Sequence, residues 1–173
     1  MDEALRIVFE MNSRIWEALR NSLEELTEEE SRWRPLPEAN NIAVIVRHLR
    51  IESEWHVRSL ERGEPMPTIA VAPSQEAIDA VTDDFVENST TLEKLCTQFL
   101  KILRDTTVST LRERTVEAYG KLSESEGRRY LLGHHHATHL AMHCGQIRTI
   151  RNLYRKTRGE PARFFPENPT YTR

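Results

Sequence analysis

The sequence predicts an all-α fold, a four-helix bundle of long amphipathic helices with long crossover connections. Three observations carry that reading. Glycine is scarce, at six residues in 173. Four long segments repeat apolar residues at three- and four-residue steps, the period of a helix with one buried face. Charged residues interleave with Leu, Ile, Val and Ala along most of the chain, which disfavours a turn-rich sheet protein. The length is read as one domain, residues 1–173, large enough to bury a core.

The first helix is expected from about Glu3 to Leu26, with Leu5, Val8, Met11, Ile15, Leu19 and Leu23 on one stripe. "LTEEESRWRPLPEANN" breaks it. Thr27 is suited to cap a short turn, and Pro35 and Pro37 forbid a continuing helix. A second helix is predicted from an Asn41 cap to a stop at Gly63, with Pro65 and Pro67 enforcing the end. Ile45, His48, Leu49, Glu52 and His56 share neighbouring parts of one of its faces.

After a loop and a short turn near "PSQEAIDA", a third helix is expected from about Asp83 to Arg104. Its apolar side is Phe85, Leu92, Leu95, Phe99 and Leu103. "DTTVSTLRERTVEAYGKL" is weakly patterned and reads as a long crossover with about one helical turn. Ser123 and Glu126 are spaced as a capping box, and the fourth helix is expected from about Glu124 to Arg158, ending at Gly159-Glu160-Pro161. The tail "ARFFPENPTYTR" reads as a surface strap.

Composition narrows the function classes. The formal net charge of −3 gives no electrostatic reason to expect nucleic acid as a partner. Arg148, Arg151, Arg155, Lys156 and Arg158 crowd the end of the last helix, where the macrodipole favours cations, and no aromatic residues alternate with them as a stacking platform would require. The N-terminus is acidic and interrupted by charges, so neither a signal peptide nor a membrane span is expected, the latter needing ~18 apolar residues. Two cysteines, Cys96 and Cys144, make no disulfide framework, and a cytoplasmic protein is the expectation.

The chemistry concentrates in "GHHHATHLAMHCGQIRTI", Gly133 to Ile150, which holds five of the seven histidines. On a helix His135, His139 and His143 share a face that continues through Met142, Gln146, Ile147 and Ile150, all expected inward; His134 and His136 are expected in solvent. Two imidazoles at i, i+4 can turn toward one cation at ~2.0–2.1 Å, and His139/His143 is the more interior pair. The ordinary alternative is a satisfied core histidine, but several histidines facing an interior each need a partner, and a shared cation supplies one. Leu140 stands where a zincin protease carries its glutamate, so that reading fails. Cys144 lies about 100° around the helix from His143 and reads as a small packing residue beside Gly145, where helices approach closely.

A third ligand must come from elsewhere. His48, in the apolar start of the second helix, is the stronger candidate; His56, beside Trp55, Arg58 and Glu61, reads as a surface residue. Glu52 has three readings: a fourth ligand, an acceptor for an imidazole N–H, or half of a helix-surface ion pair. The ion pair is the commonest arrangement.

Two segments, "NNIAVIVRHLRIESEW" and "HHATHLAMHCGQIRTIR", resemble the DinB/YfiT-like metalloenzyme family. The second carries its His-x-x-x-His-x-Gly-Gln-Ile pattern, and the likeness spans nearly the whole chain. The resemblance implies a helical bundle, a nickel or zinc ion held by His48, His139 and His143, and His135 as a neighbour of the site. It also implies a homodimer. Cys144 departs from the arginine common at that position. Relatives include bacillithiol S-transferases and a mycothiol-dependent isomerase.

The expected function is therefore a metal-dependent enzyme acting on a small molecule. Three neutral imidazoles leave a cation its charge and an open position. Such an ion favours thiol transfer, through a low-molecular-weight thiol, or hydrolysis. Glu52 and His135 are the catalytic base candidates. The alternative is a non-catalytic bundle in which the metal is structural or serves a stress response.

Overall fold

In the computed structural model, residues 1–64, 84–119 and 133–164 are described. Every regular element among them is a helix: α1 (Glu3–Leu23), α2 (Glu28–Arg32), α3 (Ile42–Arg62), α4 (Phe85–Asp105), α5 (Val108–Tyr119) and α6 (His134–Thr157). No helix among the described residues is long and apolar enough to cross a membrane. The expected turn near "PSQEAIDA", the Ser123/Glu126 capping box and the tail from residue 165 lie outside the described residues.

The caps act as their chemistry dictates. Asn41 accepts the Val44 N–H at 2.9 Å and opens α3, and Gly63, at φ 65°, closes it. Thr27 accepts from the Glu30 amide at 3.1 Å to start α2. Asp84 accepts from the amides of Val86 and Glu87 at the head of α4. Two expectations need correction. The weakly patterned "VSTLRERTVEAY" is a twelve-residue helix, α5, with Thr107 accepting the Thr110 amide and Leu111 buried. The last helix does not run unbroken from Glu124: Gly133, at φ 75°, is the residue before α6, and the described helix begins at His134.

The helices meet in two apolar clusters. One joins Leu19 of α1, Ile42 to Leu49 of α3, Phe85, Leu92 and Cys96 of α4, and Leu140 to Ile150 of α6. The other joins Leu5 and Val8 of α1, Val57 and Leu60 of α3, Phe99 and Leu103 of α4, and Leu111 of α5. The first half of α3 therefore meets the first half of α4, so these two helices run parallel. The last part of α1 and the body of α6 meet the start of α3, so both run against it. Parallel neighbours need a long return connection, which here is residues 63–84.

Three of the long helices also bury polar residues against one another: Asn12 from α1, Glu52, Ser53 and His56 from α3, and His136 and His143 from α6. The end of the molecule beyond α1 is closed by a buried charge pair. Arg151 donates to both carboxylate oxygens of Glu30, at 2.7 and 3.2 Å, and to the carbonyls of Ser22 and Glu24. Four of the five guanidinium N–H groups are thus used, and a buried guanidinium is tolerated when it is paired and hydrogen-bonded in this way. The cationic end of α6 is largely spent on such internal contacts. Arg148 donates to Ser22 and Ala18, Arg155 to the Pro161 carbonyl, and Arg158 pairs with Glu29 and Glu160.

Candidate metal centre

The inward line of α6 runs through His136, Leu140, His143 and Ile147, with His135 and His139 on its flank. This is a rotation from the expected face. Met142, expected inward, is 54% exposed, and Gln146 is exposed too. Gly145 is not a close-approach point, since a Cβ there would meet nothing within 4 Å. Cys144 is the small buried residue expected, with its sulfur 3.5 Å from Ser22 Oγ.

His48 on α3 and His139 and His143 on α6 come together. Nε2 of His139 stands 3.0 Å from Nε2 of His48 and 3.0 Å from Nε2 of His143. The ligand atoms of all three lie within 4.8 Å of one another, so the group has the geometry to hold a metal ion. Two nitrogens on one tetrahedral ion at ~2.0–2.1 Å stand ~3.3 Å apart, close to the spacing found, so the donor set fits.

The protonation states fit as well. Nδ1 of His143 lies 2.7 Å from Gln146 Oε1, an acceptor, so the ring carries its proton on Nδ1 and leaves Nε2 a free lone pair. Burial holds His48 below the usual imidazole range, with the charge of His143 adding to it. Burial likewise lowers His143, against an opposing pull from Gln146. His139 is pushed down to about 3, first by burial and then by His143, His48 and His135. All three are neutral at neutral pH, the state in which imidazole binds metal.

Glu52 is not half of a surface ion pair. It is 7% exposed, one turn beyond His48, and its Oε2 lies 3.9 Å from Nδ1 of His139. The neighbouring Arg50 pairs with Glu54 instead. Burial raises the Glu52 carboxyl above the usual carboxylate range. With His135 and His139 it forms a second group whose ligand atoms lie within 4.8 Å of one another.

Two histidines expected in solvent are buried. His56 is 2% exposed because α3 packs on α4 as far as Leu60, which turns this face inward. His136 is 2% exposed and stacks on Phe99 with ring centroids 4.1 Å apart. Its Nδ1 is 2.9 Å from Asn12 Oδ1, and its Nε2 is 3.1 Å from Ser53 Oγ. Asn12 Nδ2 donates to Val8 O and Gly133 O, so its Oδ1 accepts from His136 Nδ1–H, and Ser53 donates to Nε2. Asn12 and Ser53 were not singled out in the sequence. Their signal was a polar residue on an otherwise apolar stripe, Asn12 lying four residues from Val8 and seven from Leu19.

A cavity of about 580 Å³ lies beside His143's partner, lined by Pro35, Ile45, Met142, Gln146, Ile150 and Leu153 among others.

A family model described as mycothiol-S-transferase matches residues 10–156. No curated protein matches the chain.

Proposed function

The chain belongs to the mycothiol-S-transferase family, and on that premise we propose a metal-dependent S-transferase that joins a low-molecular-weight thiol to a small electrophile. His48, His139 and His143 are its proposed ligands for a nickel or zinc ion, within a DinB-like four-helix bundle. The observation that carries the reading is the meeting of three neutral imidazoles, each with Nε2 turned to a common point.

When bound, the cation favours the thiolate over the thiol at neutral pH. The residues do the rest. Gln146 fixes His143 in the tautomer that keeps Nε2 free. Glu52 and His135, beside His139, are the proposed acceptors for the proton the thiol gives up. The sulfur lone pair forms the new C–S bond while the leaving group departs with its own electron pair. The cavity beside Gln146 has the size of a small-molecule site and an apolar lining suited to the electrophile's carbon frame.

A purely structural ion is the weaker reading. Glu52 approaches His139 at Nδ1, the ring nitrogen other than the one facing His48 and His143, so it does not complete a four-ligand set around the same ion. Three protein ligands with an open position are the pattern of catalytic sites.

The test is conjugate formation by nickel- or zinc-loaded protein with mycothiol, and with cysteine and glutathione as comparison thiols, on a fluorogenic alkylating electrophile. The expected result is metal-dependent, thiol-dependent turnover that falls at least about 100-fold in His143→Ala, the scale on which loss of a catalytic contact is felt. Turnover without thiol would replace this reading by a hydrolase. A rate equal to the uncatalysed one with every thiol would leave a non-catalytic metal protein.

A further inference from the structure

We propose that the bundle holds a second divalent-cation position beside the first, formed by a Glu52 carboxylate oxygen, a ring nitrogen of His135 and Nδ1 of His139. It rests on the reading above for the first ion and uses the ring nitrogen of His139 that the first ion leaves over; with this position filled, Glu52 and His135 are ligands, and the thiol's proton goes to solvent instead of to them.

Three buried polar atoms on α3 lack hydrogen-bond partners among the described residues, Arg50 Nε, Glu52 Oε2 and His56 Nε2, and the last two belong to the side chains nearest the α6 histidines. Glu52 and His56 are 7% and 2% exposed, so bulk water does not answer them. They lie one turn apart on α3, and a pair one turn apart on α6, His135 and His139, faces them. The His56 and His135 rings are 5.5 Å apart, and the His135 and His139 rings stack at 5.7 Å. Glu52 Oε2 is 3.9 Å from His139 Nδ1, too long for a hydrogen bond and short enough for two atoms to draw onto one ion. The ligand atoms of Glu52, His135 and His139 all fall within 4.8 Å of one another.

The donor set selects the ligand. One carboxylate oxygen and two imidazole nitrogens suit zinc or nickel, whereas calcium and magnesium prefer oxygen alone. A hydrogen bond from Nδ1 to Glu52 would orient His139, but the 3.9 Å separation is too long for one. A cation would draw Glu52, His135 and His139 together. With both positions filled, His139 would supply Nε2 to one cation and Nδ1 to the other and would give up its one N–H proton to solvent. No electron is transferred.

Zinc itself is the probe. Tag-free protein carrying His134→Ala, which removes an exposed histidine, is dialysed to equilibrium against zinc and its bound metal counted. The same is done for Glu52→Gln, His135→Ala and His143→Ala in that background, with helical content checked by circular dichroism. The expected result is two equivalents in the parent, one in Glu52→Gln and one in His135→Ala. One equivalent in the parent overturns the second position and leaves the first standing. Two equivalents unchanged in both Glu52→Gln and His135→Ala mean zinc bound elsewhere and also overturn it. No zinc in the parent overturns both positions.

Discussion

Gln146 is exposed and carries no charge, yet its Oε1, 2.7 Å from His143 Nδ1, decides which nitrogen of that ring is free. A partner of this kind fixes the tautomer and the ring orientation, and its loss costs about 10–100-fold in metal affinity. Gln146→Leu keeps the size of the side chain and removes the acceptor. It is expected to weaken zinc binding by about that factor in a competition titration with a chromophoric chelator, with little change in thermal stability. An unchanged affinity would mean that packing alone orients His143. His139 and His143 were legible in the sequence because their spacing superposes two imidazoles on one helix face, and His48 because it sits in an apolar run. His56 and His136 were not. Their burial depends on which neighbours cover the lower half of α3 and the first turn of α6, and a single helix's periodicity does not contain that information. Glu52 was misjudged for the same reason: arginines close in sequence suggested a surface pair, while α6, far away in sequence, supplies its actual neighbour.

At the scale of elements, α3 was readable to the residue, because Asn41 and Gly63 are strong local signals that tertiary packing had no cause to override. The start of α6 was not, although Gly133 is its key. This glycine sits at φ 75°, and a Cβ there would stand 2.9 Å from Phe99 Cζ and 3.2 Å from Asn12 Nδ2. Both the left-handed backbone and the close approach require glycine. Phe99 and Asn12 are also the residues that hold His136, so the turn, the stack and the buried hydrogen bonds form one joint between α1, α4 and α6. Gly133→Ala is expected to lower unfolding stability by about 1–3 kcal/mol, from the left-handed strain and the displaced ring together. Urea denaturation checks it, and a loss below about 0.5 kcal/mol, within the range of a neutral surface change, would show that the joint is loose. The helix α5 escaped the sequence reading because its side chains lack a strong apolar stripe; Thr107 and buried Leu111 were its faint signals.

For the whole molecule, the all-helical fold followed from periodicity, but the buried polar set shared by α1, α3 and α6 did not. That set has a consequence for stability. Burial first, then His139 and His135, push His136 down to about 3, and burial pushes His56 well below its usual range. Above pH 6.5, the ordinary imidazole value, both are neutral whether the chain is folded or not, and their full contribution is present. As pH falls from 6.5 toward about 3, the unfolded chain takes up protons that the folded chain refuses. Stability then falls by about 1.4 kcal/mol per pH unit for each such group. Glu52 works the other way, since its raised carboxyl favours the folded state once protonated, but it is one group against several. Metal-free protein is therefore expected to lose urea resistance steeply between pH 6.5 and 4.5, whereas a flat profile would mean that the buried histidines are solvated or already charged. Metal loading at neutral pH raises stability on the same logic, because the ion binds the folded arrangement of His48, His139 and His143 and not the unfolded chain.

Whether His48, His139 and His143 hold one transition-metal ion is decided by bound metal per chain in tag-free protein loaded with nickel or zinc, beside His48→Ala and His143→Ala. Metal bound tightly in the parent and lost from that site in both variants, which stand on different helices, is the predicted result. A parent that takes up no metal, or variants that bind as much as the parent does, would contradict it and make the histidines a hydrogen-bonded polar core.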